Sequence, residues 1–188
     1  MTENYPKAIV TKDGQSIQLR LAEPEDRECL REFFSEIPEE ERWFLREQLG
    51  DPEVLRKWME QLDHDRILPI IAVLETDGKI VGNVRLYRSG SPSIRHVAHL
   101  RVTVHPDYRQ LKVGSWMILD CVKLALNLGI EKLFAEFVSG VEEAAIGAAH
   151  KFDFREVAVL KDYVKDPGGC YRDLIIMVKN LQSSWGDF

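Results

Sequence analysis

The pattern of hydrophobic and polar positions divides the chain into alternating and helical stretches. Ile17, Leu19 and Leu21 alternate with polar residues, which predicts a short strand with one apolar face. Apolar residues at helical spacing follow and predict three helices, of which the second carries the apolar residues 43–45. Asp51, followed by a proline, suits the N-cap of the third helix.

The second half of the chain returns to strand-like patterns and adds two helices. An Asp-Gly pair at 77–78 predicts a β-hairpin, and a strand ending at Val104 follows it. An amphipathic helix runs from Gly114 to Leu128 and stops at Gly129. A strand, a small-residue helix and two further strands complete the order. Because a helix joins two strands here, that pair is predicted to be parallel, with a right-handed crossover.

Together these elements predict a mixed α/β (α+β) fold. Its sheet has six to seven strands, mostly antiparallel, with helices on both faces and a central parallel βαβ unit. No repeat or linker interrupts the 188 residues. A single domain over residues 1–182 is therefore expected, with a loose tail at 183–188.

Composition narrows the classes of function. A net charge of −6 argues against a nucleic-acid footprint over the whole surface and against a polybasic membrane patch. The sequence has no run of ~18 apolar residues that could span a membrane, and its polar start does not resemble a signal peptide. Three separated cysteines without a CxxC pair favour neither a disulfide framework nor a zinc site. We predict a cytoplasmic protein with no metal, nucleic-acid or membrane partner.

The strand that ends at Val104 has an unusual polar face. Successive side chains of a strand point to opposite faces. One face therefore holds Val97, His99, Arg101, Thr103 and His105. Such a face fits either a cavity or a surface that is exposed or covered by polar helix side chains. The pattern alone favours the second interpretation.

The stretch HPDYRQLKVGSWMILD leads from this strand into the next helix. A helix start leaves N–H groups without partners and carries the positive end of the helix dipole. The N–H groups of Gln110–Ser115 could cradle a phosphate, with charge from Arg109 and Lys112 and close approach at Gly114. The alternative is an ordinary capped turn with solvated basic residues. P-loop and GxGxxG patterns are both absent from the sequence.

The same stretch resembles the cofactor segment of the GNAT N-acyltransferase family. That segment has a strand, the pattern V-x-P-x-[YF]-[RQ]-x-x-G-x-G and a helix. The matching residues are Val104, Pro106, Tyr108, Arg109 and Gly114. The order of elements is similar over nearly the whole chain. AAHKFDFREVAVLKDYV and GCYRDLIIMVKN take the places of the closing family segments.

Three positions depart from the family pattern. The first motif glycine is Lys112, the residue after the motif arginine is Gln110, and the glycine of the family's "GF" pair is Asp153. Because the family binds phosphate through backbone N–H groups, the change at Lys112 costs little if that position has an ordinary helical φ. A side chain that blocks the phosphate path would abolish binding.

The resemblance implies acetyl-CoA as cosubstrate. Its pyrophosphate would lie at the helix start, and its pantetheine arm would pair like an added strand with the polar-faced strand. A splay between this strand and its parallel neighbour would admit the arm. The implied cofactor-binding residues are Val102, Thr103, Val104, Arg109, Gln110, Leu111, Lys112, Val113, Gly114, Ser115 and Glu142.

Two residues are candidates for the catalytic base. His99 takes the place of a family glutamate, and a histidine pKa of ~6.5 suits the task. The alternative is that His99 only packs or forms a hydrogen bond. Glu136, on the next strand, is the second candidate and could equally be a solvated carboxylate. The family tyrosine that protonates the leaving thiolate is replaced by Ala149.

The leading hypothesis is that the protein is an acetyl-CoA-dependent N-acetyltransferase. A primary amine of a small molecule or of a protein would attack the acetyl group directly. Acidic residues at Glu39–Glu41 could attract a cationic amine, although a dipole-stabilised helix start explains them equally. The alternatives are a catalytically degenerate GNAT-like protein that binds CoA as a sensor, and an interaction domain with no CoA site. The last strand could pair across a homodimer.

Overall fold

A computed structural model describes residues 5–45 and 47–181. Eight strands form one sheet, and five α-helices accompany it in this described part of the chain. The strands are β1 Lys7–Val10, β2 Ser16–Leu21, β3 Ile67–Leu74, β4 Ile80–Arg88, β5 Val97–Val104, β6 Lys132–Val138, β7 Arg155–Lys165 and β8 Tyr171–Asn180. The helices are α1 Arg27–Ser35, α2 Glu39–Arg42, α3 Pro52–Glu60, α4 Val113–Asn127 and α5 Glu143–Lys151. The predicted tail at 183–188 lies outside the described residues.

The sheet has the order β1-β2-β3-β4-β5-β6-β8-β7. β5 and β6 are parallel and the other neighbours are antiparallel, which confirms the predicted fold class. The strand count exceeds the predicted six to seven because β1 adds to one edge, where it pairs with β2. Four residues are too short for a clear alternation, and Lys7 of β1 is held by an ion pair to Asp120 of α4 that no local pattern reveals.

The strand that was expected to offer an edge for dimerisation lies inside the sheet. β8 pairs with β6 on one side and with β7 on the other, so its two edges are both used. The pairing of a homodimer through the last strand is therefore wrong, and β7 forms that edge of the sheet. Homodimerisation by any other surface stays a prediction.

The second predicted helix is shorter than expected. α2 ends at Arg42, so residues 43–45 lie in a turn rather than on a helix. The chain turns here because Leu45 and Leu49 are buried among the helices, while Glu47 reaches across to the side chain of Arg85 on β4.

Helices cover both faces of the sheet, as predicted. Alternate residues of β3 divide between two apolar cores: Ile70 and Ala72 belong to one, Ile71 and Val73 to the other. The first core contains residues of α4 and α5, such as Met117, and the second contains residues of α1 and α3. Each face of the central strands is thus sealed by a different set of helices.

A gap opens in the middle of the sheet between the two parallel strands. β5 pairs with β6 at three positions, of which His99 with Phe134 is the last. Beyond this point β6 continues to pair with β8, while the facing edge of β5 from residue 100 to 104 has no strand partner among the described residues. The gap faces the N-terminus of α4, which follows β5 by a short turn.

Candidate active site

A cleft of about 470 Å³ occupies the gap between β5 and β6. Its walls come from β5, the turn before α4, the start of α4, and the alanine-rich face of α5. The predicted cofactor-binding residues that line it are Val102, Thr103, Val104, Arg109, Gln110, Lys112, Gly114, Ser115 and Glu142. Leu111 and Val113 are absent from the lining among the described residues, and Val113 is buried in the core.

The sequence left open whether the polar face of β5 opens onto a cavity or is exposed or covered by other residues. The structure shows a cavity along part of this face and a covered residue at its end. Arg101 and Thr103 line the cleft, whereas His105 is covered. Nε2 of His105 lies 2.7 Å from Glu36 Oε2, and its Nδ1 accepts the backbone N–H of Asp107 at 3.2 Å. Since Nδ1 accepts a hydrogen bond, Nε2 carries the proton that is donated to Glu36. His105 is thus a satisfied structural residue at the end of β5.

The turn before α4 exposes backbone N–H groups to the cleft. Lys112 is the N-cap residue of α4, and no side chain in the described part of the structure caps this helix end. The first N–H groups of a helix have no intrahelical acceptor, and they carry the positive end of the dipole. Those of Gly114 and Ser115, which line the cleft, can therefore bind an anion there.

Gly114 is needed for close packing at this end of the helix. A Cβ atom built on it would lie 3.2 Å from Cγ2 of Val104, tighter than an ordinary contact. The start of α4 therefore lies directly against the end of β5. This contact brings the helix N-terminus next to the open strand edge.

The three positions that depart from the family glycines all have left-handed backbone. The φ angles are +62° at Gln110, +68° at Lys112 and +59° at Asp153. Lys112 therefore does not have the ordinary helical φ that would make its replacement of glycine inexpensive. Left-handed backbone costs about 1–2 kcal/mol for a residue with a Cβ atom. The chain adopts this backbone at three non-glycine residues in spite of the cost.

Replacing Lys112 with glycine is expected to raise the free energy of unfolding by about 0.5–1 kcal/mol. The substitution relieves the left-handed strain, and the greater flexibility of glycine in the unfolded chain offsets part of the gain. Lys123→Gly, at an exposed position inside α4, is the matched control and is expected to cost about 1 kcal/mol. Urea denaturation measures both. Equal destabilisation by the two substitutions would contradict the assignment of strain to Lys112.

Arg109, the predicted phosphate ligand, is held by a carboxylate from α2. Its Nη1 and Nη2 atoms lie 2.8 and 2.6 Å from the two carboxylate oxygens of Glu41, and its Nε donates to the carbonyl oxygen of Val104 at 3.2 Å. Such a bidentate pair is the geometry in which arginine also binds phosphate. Glu41 thus lies where an anionic ligand of Arg109 would compete with it.

A second ion pair crosses the inner end of the cleft. Nη1 of Arg101 donates to the carbonyl oxygen of Glu136 on β6 at 2.9 Å, and Nη2 lies 2.6 Å from Oε1 of Glu142. Oε2 of Glu142 accepts the backbone N–H of Val138 at 2.8 Å. Burial raises the pKa of the Glu142 carboxyl, and the charge of Arg101 opposes that rise.

The two predicted base candidates, His99 and Glu136, lie close to each other and next to the ion pair of Arg101 with Glu142. Nε2 of His99 is 3.4 Å from Oε2 of Glu136, and the His99 ring lies between the rings of Tyr87 and Phe134. The side chain of Glu136 is 35% exposed, against 11% for His99. Both are absent from the described lining of the cleft.

Arginine and glutamate residues beyond those expected from the sequence contribute to this face. Arg85 on β4 is fully buried, lies 2.7 Å from Glu47, and shares it with the hydroxyl of Tyr87, which donates at 2.6 Å. Burial lowers the pKa of Arg85. Arg85 is the register partner of Arg101. The alternation Asn-x-Arg-x-Tyr at 83–87 indicates that β4 has a polar face. It does not reveal Glu47 as the partner of Arg85 and Tyr87, because Glu47 is distant in sequence.

The described residues contain no group of three or more His, Cys, Asp or Glu side chains that could hold a metal ion. Among the helices described, none is both long and apolar enough to cross a membrane.

Comparisons with known proteins agree with the fold. The sequence model of the acetyltransferase (GNAT) family matches residues 27–154. A GNAT-family acetyltransferase from Streptococcus pneumoniae is 22% identical, with a TM-score of 0.74 over 87% of this chain and 99% of that one. A ribosomal-protein-alanine N-acetyltransferase from Brucella melitensis is 23% identical, with a TM-score of 0.72 over 87% and 99%. A Vibrio cholerae spermidine N-acetyltransferase chimera is 14% identical, with a TM-score of 0.73 over 88% and 95%. The comparison with curated proteins gives no match.

Proposed function

Because the chain belongs to the acetyltransferase (GNAT) family, we propose that it transfers an acetyl group from acetyl-CoA to a primary amine by direct attack. The observation that carries this proposal is the gap between β5 and β6. An open backbone edge and an uncapped helix N-terminus face the same cleft there. A donor that joins amide groups to a pyrophosphate can use both features together.

The residues of the cleft fit acetyl-CoA in two places. The backbone of Val102–Val104 can pair with the amides of the pantetheine arm, as an added strand would. The N–H groups around residues 110–115, with the charges of Arg109 and Lys112, suit the pyrophosphate. Arg109 has to exchange Glu41 for phosphate when the donor binds.

The paired side chains of His99 and Glu136 are proposed to accept the proton of the amine. A primary amine with a pKa of ~10.4 is mostly protonated near neutrality and cannot attack until it loses a proton. The 3.4 Å separation of His99 Nε2 and Glu136 Oε2 allows one residue to orient the other. Proton transfer is direct or passes through one water molecule.

The acceptor is proposed only as a primary amine, on a small molecule or on a protein. The similar structures carry names that include a polyamine acetyltransferase and a ribosomal-protein-alanine acetyltransferase. These acceptors differ in size and in charge, so the names do not choose between them for this chain.

Calorimetric titration of the purified protein with acetyl-CoA tests the proposal, with CoA and ATP as comparison ligands. Both CoA forms are expected to bind much more tightly than ATP, because only they extend along β5 beyond the phosphates. Amine-dependent release of CoA, followed with a thiol reagent over a panel of amines, then tests transfer. Absence of binding at millimolar acetyl-CoA would overturn the proposal.

A second candidate function is CoA binding without catalysis. Two observations favour it: Ala149 lines the cleft where the family has its tyrosine acid, and Glu41 neutralises Arg109. Tight binding of acetyl-CoA, with no release of CoA for any amine tested, would favour this sensor function over the transferase.

A further inference from the structure

Arg101 closes the inner end of the gap between the parallel strands. Its backbone belongs to β5, and its guanidinium reaches the carbonyl oxygen of Glu136 on β6 at 2.9 Å. His99 and Phe134 are the last register partners of these strands, and Arg101 lies two residues beyond His99. Arg101 is therefore the first charged side chain at the point where the strands separate.

The proposed course of the donor leads to this guanidinium. The phosphates lie at the start of α4, beside Val104, and the pantetheine arm follows β5 inward past Val102. The thioester at the far end of the arm then meets the side chain of Arg101, which lines the cleft and is 11% exposed. Because little water screens the Arg101 guanidinium, it interacts strongly with negative charge that develops beside it.

We propose that Arg101 is a catalytic residue that holds the thiolate of CoA as it leaves the acetyl group. This role rests on the proposed function. The amine nitrogen attacks the thioester carbon, a C–N bond forms, the C–S bond breaks, and its electron pair stays on sulfur. A protonated amine loses two protons in all: the first passes to the His99–Glu136 pair and on to water before the attack, and the second leaves nitrogen by the same route as the C–S bond breaks. The thiolate, paired with Arg101, takes a proton from water on release.

The chain needs such a group because the tyrosine acid of its family is missing. Ala149 cannot donate a proton, and in this proposal the sulfur leaves as an anion. A thiol with a pKa of ~8.5 forms a moderately stable anion in water, but a dry cleft raises the cost of that charge. A guanidinium offsets this cost, and it stays charged at every working pH.

The surrounding charges keep Arg101 in place without using all of its donors. The hydrogen bonds recorded among the described residues use its two Nη atoms, to the Glu136 carbonyl and the Glu142 carboxylate. A guanidinium has more N–H groups than these two bonds need. Glu142 is itself held by the N–H of Val138 and acts as a positioning residue. Other charged or titratable groups near this point are His99, the Glu136 carboxylate, Arg85 and Glu41, whose charge acts on Glu142 from the wall of the cleft.

The pKa of the thiol of bound CoA provides the test. It is measured from the ultraviolet absorbance of the thiolate, as the difference between complexes with CoA and with desulfo-CoA. The subtraction removes the signals of the protein's own cysteines and tyrosines. In the unsubstituted protein the bound thiol is expected to ionise at lower pH than in Arg101→Met, by about one pH unit or more. Arg101→Lys is expected to restore part of this difference.

Arg155→Met is the matched control, because Arg155 is exposed on β7 and its side chain is absent from the described lining of the cleft. It should leave the thiol pKa unchanged. Arg101→Gln is the second variant, because it removes the charge but keeps N–H donors for the Glu136 carbonyl and for Glu142. It should raise the thiol pKa as Arg101→Met does. Turnover adds a separate readout, since Arg101→Met should reduce kcat about 100-fold or more, with a smaller change in KM.

The outcomes separate the two proposals. If CoA does not bind the unsubstituted protein, the proposed function fails and the role of Arg101 fails with it. If CoA binds but its thiol pKa is the same in the unsubstituted protein and in Arg101→Met, the role of Arg101 is wrong and the proposed function stands. If Arg101→Met does not fold, an unchanged thiol pKa in Arg101→Gln overturns the role.

Discussion

Replacing Glu136 with glutamine is expected to lower the turnover of amine acetylation about 100- to 1000-fold. The amine has to lose a proton before or during its attack, and the Glu136 carboxylate is the more exposed member of the pair that can accept it. Affinity for acetyl-CoA should change little, because the Glu136 side chain is absent from the described lining of the cleft. Steady-state kinetics and calorimetry measure the two effects separately.

The pairing of Glu136 with His99 makes a second prediction about the same group. If the two act as a unit, the double variant with His99→Gln should lose little more activity than Glu136→Gln alone. Glu156→Gln removes the same charge from an exposed position on β7 and serves as the control. Normal turnover in Glu136→Gln would remove this residue from the mechanism, and a loss confined to His99→Gln would identify the histidine as the base.

Local patterns were sufficient to predict the frame of the fold. Buried strands and amphipathic helices have different hydrophobic periods, and a helix between two strands allows a parallel pair. The elements that were missed depend on distant contacts. β1 is held by β2 and by the contact of Lys7 with Asp120. The chain leaves α2 early because Glu47 reaches Arg85 on another strand.

Only the part of the candidate site that is formed by backbone groups could be predicted from the sequence. A turn that leads directly into a helix leaves N–H groups free at any residue type, so the start of α4 could be identified from its position alone. The left-handed φ angles at Gln110 and Lys112 could not be inferred from their side chains, which ordinarily avoid them.

The ion pairs of the site lie beyond the reach of a sequence pattern. Arg109 and Glu41 are 68 residues apart, and Arg101 and Glu142 are 41 apart. Alternation along β5 predicted that Arg101 lies on a polar face. Its place at the point where two strands separate depends on how far β6 follows β5, which is set by packing across the whole sheet.

Arg109→Met is expected to weaken the binding of acetyl-CoA roughly 10- to 100-fold, and Glu41→Gln to strengthen it about fivefold. A hydrogen-bonded contact of arginine with phosphate contributes about 1.5–3 kcal/mol. The bidentate pair with Glu41 is partly exposed, with side chains 39% and 30% accessible. Such pairs contribute at most about 1 kcal/mol. Removing the competing carboxylate therefore frees the guanidinium for phosphate at a modest gain, and calorimetric titration measures both variants.

Glu40→Gln is the matched control for Glu41→Gln, since Glu40 is exposed on the same short helix and the change in net charge is identical. A general effect of net charge would strengthen binding equally in both variants, and higher salt would reduce that effect. A gain confined to Glu41→Gln shows direct competition for Arg109. In the variant that combines Arg109→Met with Glu41→Gln, the gain should disappear, because the carboxylate then has no guanidinium to occupy. If Glu41→Gln still tightens binding without Arg109, the acidic residue acts on the phosphates by repulsion and the exchange of partners at Arg109 is wrong.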